Sequence, residues 1–94
     1  MLKRRVSKDV EKAMEKMPDK QFCQIYDAIK SLCTHPEPGD SKELKGNTFP
    51  GRRRKDCGEY RIIYWYDDKT LYVDIVGKRN DDAAYKIAKR KGLI

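Results

Sequence analysis

The chain has 94 residues, with 22 lysines and arginines against 15 acids and a formal charge of +7. That length holds one small core, so a single domain is expected, while the positive balance favours an anionic partner: nucleic acid, an acidic protein or an anionic membrane surface. No apolar run could act as a signal peptide or cross a bilayer, so a cytoplasmic protein is expected.

Leu2 to Val6 reads as a short edge strand and Ser7 as the N-cap of the helix after it. Val10, Ala13, Met14 and Met17 recur at helical spacing, with Lys8, Asp9, Glu11, Lys12, Glu15 and Lys16 on the remaining faces. Pro18 closes this helix, and Asp19 is placed to cap the next. The second helix carries the clearest periodicity in the chain, a stripe of Phe22, Ile25, Tyr26, Ile29, Leu32 and Cys33. Two short amphipathic helices with almost no linker must bury their stripes on something else.

His35 to Gly46 reads as loop, because His-Pro-Glu-Pro-Gly-Asp opposes regular structure. His35 lacks a neighbouring ligand or base and is expected to be solvated rather than catalytic. Cys23, Cys33 and Cys57 are odd in number without a Cys-x-x-Cys spacing, so neither a disulfide framework nor a metal site is expected. Tyr60 to Tyr66 and Leu71 to Lys78 are strands by their β-branched and aromatic content, joined by Asp67-Asp68-Lys69-Thr70. Asn80, Asp81 and Asp82 supply caps for a last short helix with Ala84, Ile87 and Ala88 as its stripe. The predicted class is α+β: a small antiparallel sheet, an N-terminal helix pair packed on one face, a short C-terminal helix, and the other face open.

Chemistry concentrates between Gly51 and Arg79, where four adjacent cations, Arg52, Arg53, Arg54 and Lys55, precede a hairpin that ends in Lys78-Arg79. Guanidinium groups at both ends of a hairpin point to phosphate handled by charge. Alternation puts Arg61, Ile63 and Trp65 on one face and Tyr60, Ile62, Tyr64 and Tyr66 on the other. Arg79 joins the face of Arg61 only if the connection holds an odd number of residues or a bulge. If Arg52 to Arg54 is extended, Arg52 and Arg54 share a side and Arg53 opposes them. RNA cleavage by its own 2′-hydroxyl needs a proton acceptor, cations around the phosphorane and a donor for the leaving oxygen. Tyr85 could donate or relay a proton, or stack on a base. The same cations also fit a solvated, nonspecific phosphate patch, the strand aromatics fit a core, and Tyr85 fits a docking role for its helix. Cys57, a thiol beside cations, has the setting for a lowered pKa.

Lys42-Glu43-Leu44-Lys45-Gly46, then Gly58-Glu59-Tyr60-Arg61-Ile62-Ile63-Tyr64, then Ile75-Val76-Gly77-Lys78-Arg79 with a tyrosine soon after, resemble the RelE/ParE superfamily of toxin–antitoxin toxins over nearly the whole chain. The resemblance implies a RelE-like fold. In the RelE-like branch it implies a ribosome-dependent endonuclease that cuts messenger in the ribosomal A site, without metal or small-molecule cofactor, beside 16S ribosomal RNA and under control of a cognate antitoxin. The family's catalytic positions fall on Arg52, Arg54, Arg61, Arg79 and Tyr85, with Arg53, Lys55 and Lys78 as accompanying RNA-binding cations. Some RelE-like toxins carry lysines where Arg52 and Arg54 stand here, and a guanidinium is a poor proton acceptor. The general base therefore stays open among Tyr85, Lys55 in a shifted register, and charge stabilisation without a strong base. Two other readings remain: a ParE-like inhibitor of DNA gyrase and a non-catalytic RNA-binding homologue.

Overall fold

A computed structural model describes residues 1–44, 51–79, 86, 89 and 90. Its elements run β1 (Lys3–Val6), α1 (Lys8–Glu15), α2 (Asp19–Thr34), β2 (Lys42–Glu43), β3 (Arg53–Cys57), β4 (Tyr60–Tyr66) and β5 (Thr70–Lys78).

Ser7 caps α1 as its type and position require: its hydroxyl oxygen accepts the Val10 N–H at 3.2 Å, satisfying one of the donors a helix start leaves unpaired. The same hydroxyl donates to the Asp74 carbonyl at 3.1 Å, and the Ser7 N–H donates to the Val73 carbonyl. The cap thus ties α1 to the last strand. At α2 the expectation shifts by one residue. Pro18 holds the cap position and Asp19 is the first helical residue, where its carboxylate still faces the positive end of the helix dipole.

The sheet order is β1-β5-β4-β3-β2. β2 through β5 pair antiparallel, as expected of consecutive short-linked strands, whereas β1 pairs parallel with β5, so the sheet is mixed. A parallel neighbour demands a long crossover, and the chain from α1 to β4 supplies it.

Val10 and Met14 of α1 and Ile25, Ile29, Leu32 and Cys33 of α2 pack on Ile62, Tyr64, Leu71, Val73 and Val76. The α2 stripe is wider than the face it buries, and Phe22 and Tyr26 stay at the rim, 39% and 38% exposed. The opposite sheet face is not open throughout. Ile63 and Ile75, paired across β4 and β5 on that side, are both buried. The C-terminal helix falls largely outside the described residues, although Lys86, Lys89 and Arg90 are helical and exposed.

Tyr64 anchors the loop between α2 and β2. Its hydroxyl donates to the Pro36 carbonyl at 2.5 Å and lies 2.6 Å from Ser41 Oγ, which in turn accepts from Arg53 Nε at 3.0 Å. Because the Tyr64 proton is spent on Pro36, Ser41 is the donor to Tyr64. Tyr64→Phe strands a buried serine O–H and a carbonyl, and is expected to cost about 1–3 kcal/mol, read as a lower denaturation midpoint at unchanged m value.

Candidate phosphate-binding face

β3 has the sequence Arg-Arg-Lys-Asp-Cys, without a β-branched or aromatic residue. It is a strand because β4 offers it a ladder, and context outweighs propensity in sheets. Gly58 and Glu59 make the turn between paired Cys57 and Tyr60. Gly58 has φ 58°, a left-handed conformation in which a side chain would be strained, with a Cβ also pressed to 3.4 Å from Gln24 Oε1.

This register sets Asp56 opposite Arg61 and Arg54 opposite Ile63. Arg52, Arg54, Asp56 and Arg61 therefore share the face away from the helices. Whether Arg79 joins them depends on the next hairpin. The connection Asp67-Asp68-Lys69-Thr70 is even, with Tyr66 paired to Leu71, which alone would send Arg79 to the helix side. A bulge intervenes: Tyr64 pairs with Val73 but Ile63 pairs with Ile75, leaving Asp74 as the extra residue. Beyond it Arg61 faces Gly77, and the Arg79 N–H donates to the Glu59 carbonyl at 3.0 Å. The bulge puts Arg79 on the face of Arg61.

The two side chains meet at Asp56. Arg61 Nε donates to Asp56 Oδ1 at 2.7 Å and Arg61 Nη2 to Oδ2 at 3.4 Å, while Arg79 Nη1 stands 3.7 Å from Oδ2. Arg61 is the more enclosed, its side chain 13% exposed against 47% for Arg79. The hydrogen bond from Arg61 holds the Asp56 carboxyl below the usual carboxylate range against the opposing effect of burial, and the charges of Arg61, Arg54 and Arg79 add to it. Arg52 is fixed separately, its Nε donating to Asp74 Oδ2 at 2.8 Å. The bulge residue thus holds Arg52, and its insertion brings Arg79 to the face of Arg61.

A depressed carboxyl pKa in the folded chain means that Asp56 contributes stability above the unfolded value near 3.9 and loses it as pH falls through the lower folded value. Asp40 and Asp67 are shifted in the same direction, by Lys55 and by the turn N–H groups of Lys69 and Thr70. Unfolding free energy is therefore expected to fall as pH drops below about 4, and to fall less steeply in Asp56→Asn, checked by urea titration across the acid range.

Of the expected cations, Arg53, Lys55 and Lys78 do not share this face, because they are paired with Tyr64, Ile62 and Tyr60 on the helix side. Arg53 donates to Ser41 and pairs with Glu37 at 3.4 Å, and Lys55 pairs with Asp40. The fixed register of Lys55 opposite Ile62 removes it as a base beside Arg61, correcting the shifted-register alternative. Burial pushes the Cys57 thiol up, with Lys55 opposing only in part, so its proximity to cations does not activate it. His35 is exposed at the end of α2. Tyr85 lies outside the described residues.

Sequence reasoning missed Asp56 and Asp74. Asp56 has the parity of Arg52 and Arg54, and Gly58-Glu59 as the turn sets it across from Arg61. Asp74 carried no local signal, since a bulge is visible only once both strands are paired.

The architecture is an α+β domain of RelE-like fold with a basic sheet face. Residues 1–83 match the family model of the ParE toxin of type II toxin–antitoxin systems, parDE, and the chain belongs to that family, within the RelE/ParE superfamily. Among solved structures, a mutant of the Escherichia coli toxin RelE in the free state is 19% identical, with a TM-score of 0.76 and 96% of each chain covered. The toxin–antitoxin complex RelBE2 of Mycobacterium tuberculosis matches at 21% identity and TM-score 0.71, covering 83% of this chain and 98% of that one. The archaeal RelE–RelB complex of Pyrococcus horikoshii matches at 24% identity and TM-score 0.70, covering 83% and 94%. At these identities the likeness shows the fold. A comparison with curated proteins finds no match.

Proposed function

We propose that this toxin is a ribosome-dependent endonuclease that cuts messenger in the ribosomal A site. The carrying observation is the convergence of Arg61 and Arg79 on one point of the sheet face away from the helices, with Arg54 adding its charge there. In the proposed reaction the 2′-oxygen attacks the adjacent phosphorus, its proton is lost, and the bond to the 5′-oxygen breaks as that oxygen takes up a proton. Arg61 and Arg79 stabilise the extra negative charge on the phosphorane, and always-charged forks suit that role. Arg52 and Arg54 bind the flanking backbone, and Tyr85 relays the proton.

The complexes of other toxins with RelB support a cognate antitoxin as partner, here one that covers the basic face. The proposal places the protein in the cytoplasm, with translating ribosomes. The test is mapping of messenger ends after induced expression: cuts in register with the reading frame and dependent on translation support the reading, and uncut messenger removes it.

The family match favours one alternative, inhibition of DNA gyrase without hydrolysis. Loss of supercoiling activity with intact messenger selects it.

A further inference from the structure

The carboxylate at the centre of the arginine cluster stands where a phosphate would bind. Asp56 offers Oδ1 and Oδ2 to the Nε and Nη2 edge of Arg61, and Oδ2 also faces Arg79. A phosphodiester presents the same pair of anionic oxygens to a guanidinium fork. That edge of Arg61 holds one or the other. Asp56 is also well placed to leave, since its side chain is 39% exposed while that of Arg61 is 13% exposed. The guanidinium is the more enclosed group of the pair and the carboxylate the more exposed.

From this geometry we infer that Asp56 is an internal phosphate surrogate: it gathers Arg61 and Arg79 while the site is empty and must be displaced before a ligand phosphate can reach them. A competitor tethered on the adjacent strand acts at an effective concentration of about the millimolar range. An isolated small anion meets that barrier with one set of contacts. A strand of phosphates brings further contacts, and Arg54 on the same face makes no side-chain hydrogen bond or ion pair among the described residues that would need breaking first. Asp56 thereby sets the threshold for ligand entry. The ligand's identity as RNA rests on the function proposed above, and the displacement itself does not.

The experiment compares parent, Asp56→Asn and Asp56→Ser, with Asp68→Asn as a control that makes the same charge change at the exposed β4–β5 turn. Asparagine keeps an oxygen for Arg61 Nε, so the fold retains that bond. Inorganic phosphate is titrated by thermal shift, and a short single-stranded RNA with 2′-O-methyl groups, which cannot be cleaved, by fluorescence anisotropy. Both Asp56 variants are expected to bind phosphate and RNA about tenfold tighter or more than the parent, since like charges at an interface repel strongly. Asp68→Asn is expected to change either by less than about twofold, its charge lying beyond a screening length from the site. Phosphate binding equal to or weaker than that of the parent overturns the inference, as does loss of the fold in both variants, because either outcome makes Asp56 a structural support for Arg61. Tighter phosphate binding together with RNA binding indifferent to Arg61→Ala upholds the displacement and rejects the RNA reading.

Discussion

Arg61→Ala is expected to slow messenger cleavage by on the order of 10²–10³, the usual consequence of deleting one preorganised charge at a developing anion. One feature of the site argues for the upper part of that range: its guanidinium is largely enclosed, so no water replaces it without reorganisation. Arg79→Ala is expected to cost somewhat less, because a side chain 47% exposed works in a medium closer to water. Arg61→Lys is not expected to restore the rate, since one ammonium cannot present a planar fork to two oxygens. Primer extension on translated messenger gives the rates, and a melting curve on each variant separates a lost charge from a lost fold. Cleavage by Arg61→Ala and Arg79→Ala at the parental rate would falsify the assignment of this face as the active site.

Ile25→Ala is the second large effect, and it acts on stability alone. Ile25 is fully buried where α2 meets the sheet, in the cluster that includes Ile62 and Val76. Truncation removes three carbons from a packed core and leaves a cavity, at a cost of about 2–5 kcal/mol. A domain of this size is stabilised by roughly 5–14 kcal/mol in total, and each kcal/mol moves its melting temperature by roughly 4–8 °C. The expected result is a melting temperature lower by about 8 °C or more. At low temperature, where the variant is still folded, its cleavage rate should match the parent, since Ile25 lies on the other side of the sheet from the arginines. Phe22→Ala, at the exposed rim of the same helix, should be far milder.

Legibility followed the range of the interactions involved. The α2 stripe, the Ser7 cap and the extent of β4 were readable because helical spacing, a cap and strand alternation are each set by residues a few positions apart. β3 was unreadable as a strand because its own residues do not favour one; pairing with β4 makes it so. The parallel attachment of β1 could not be read either, since its partner lies more than sixty positions along the chain.

The sequence by itself determined the family, the basic character and the set of arginines available to act. Only the tertiary structure decided which of them act together. Face assignment in a sheet reverses with a single inserted residue, and the bulge at Asp74 makes that reversal, carrying Arg79 to Arg61. The same pairing carries Arg53 and Lys55 to the opposite side and sets a carboxylate among the charges that were expected to stand alone.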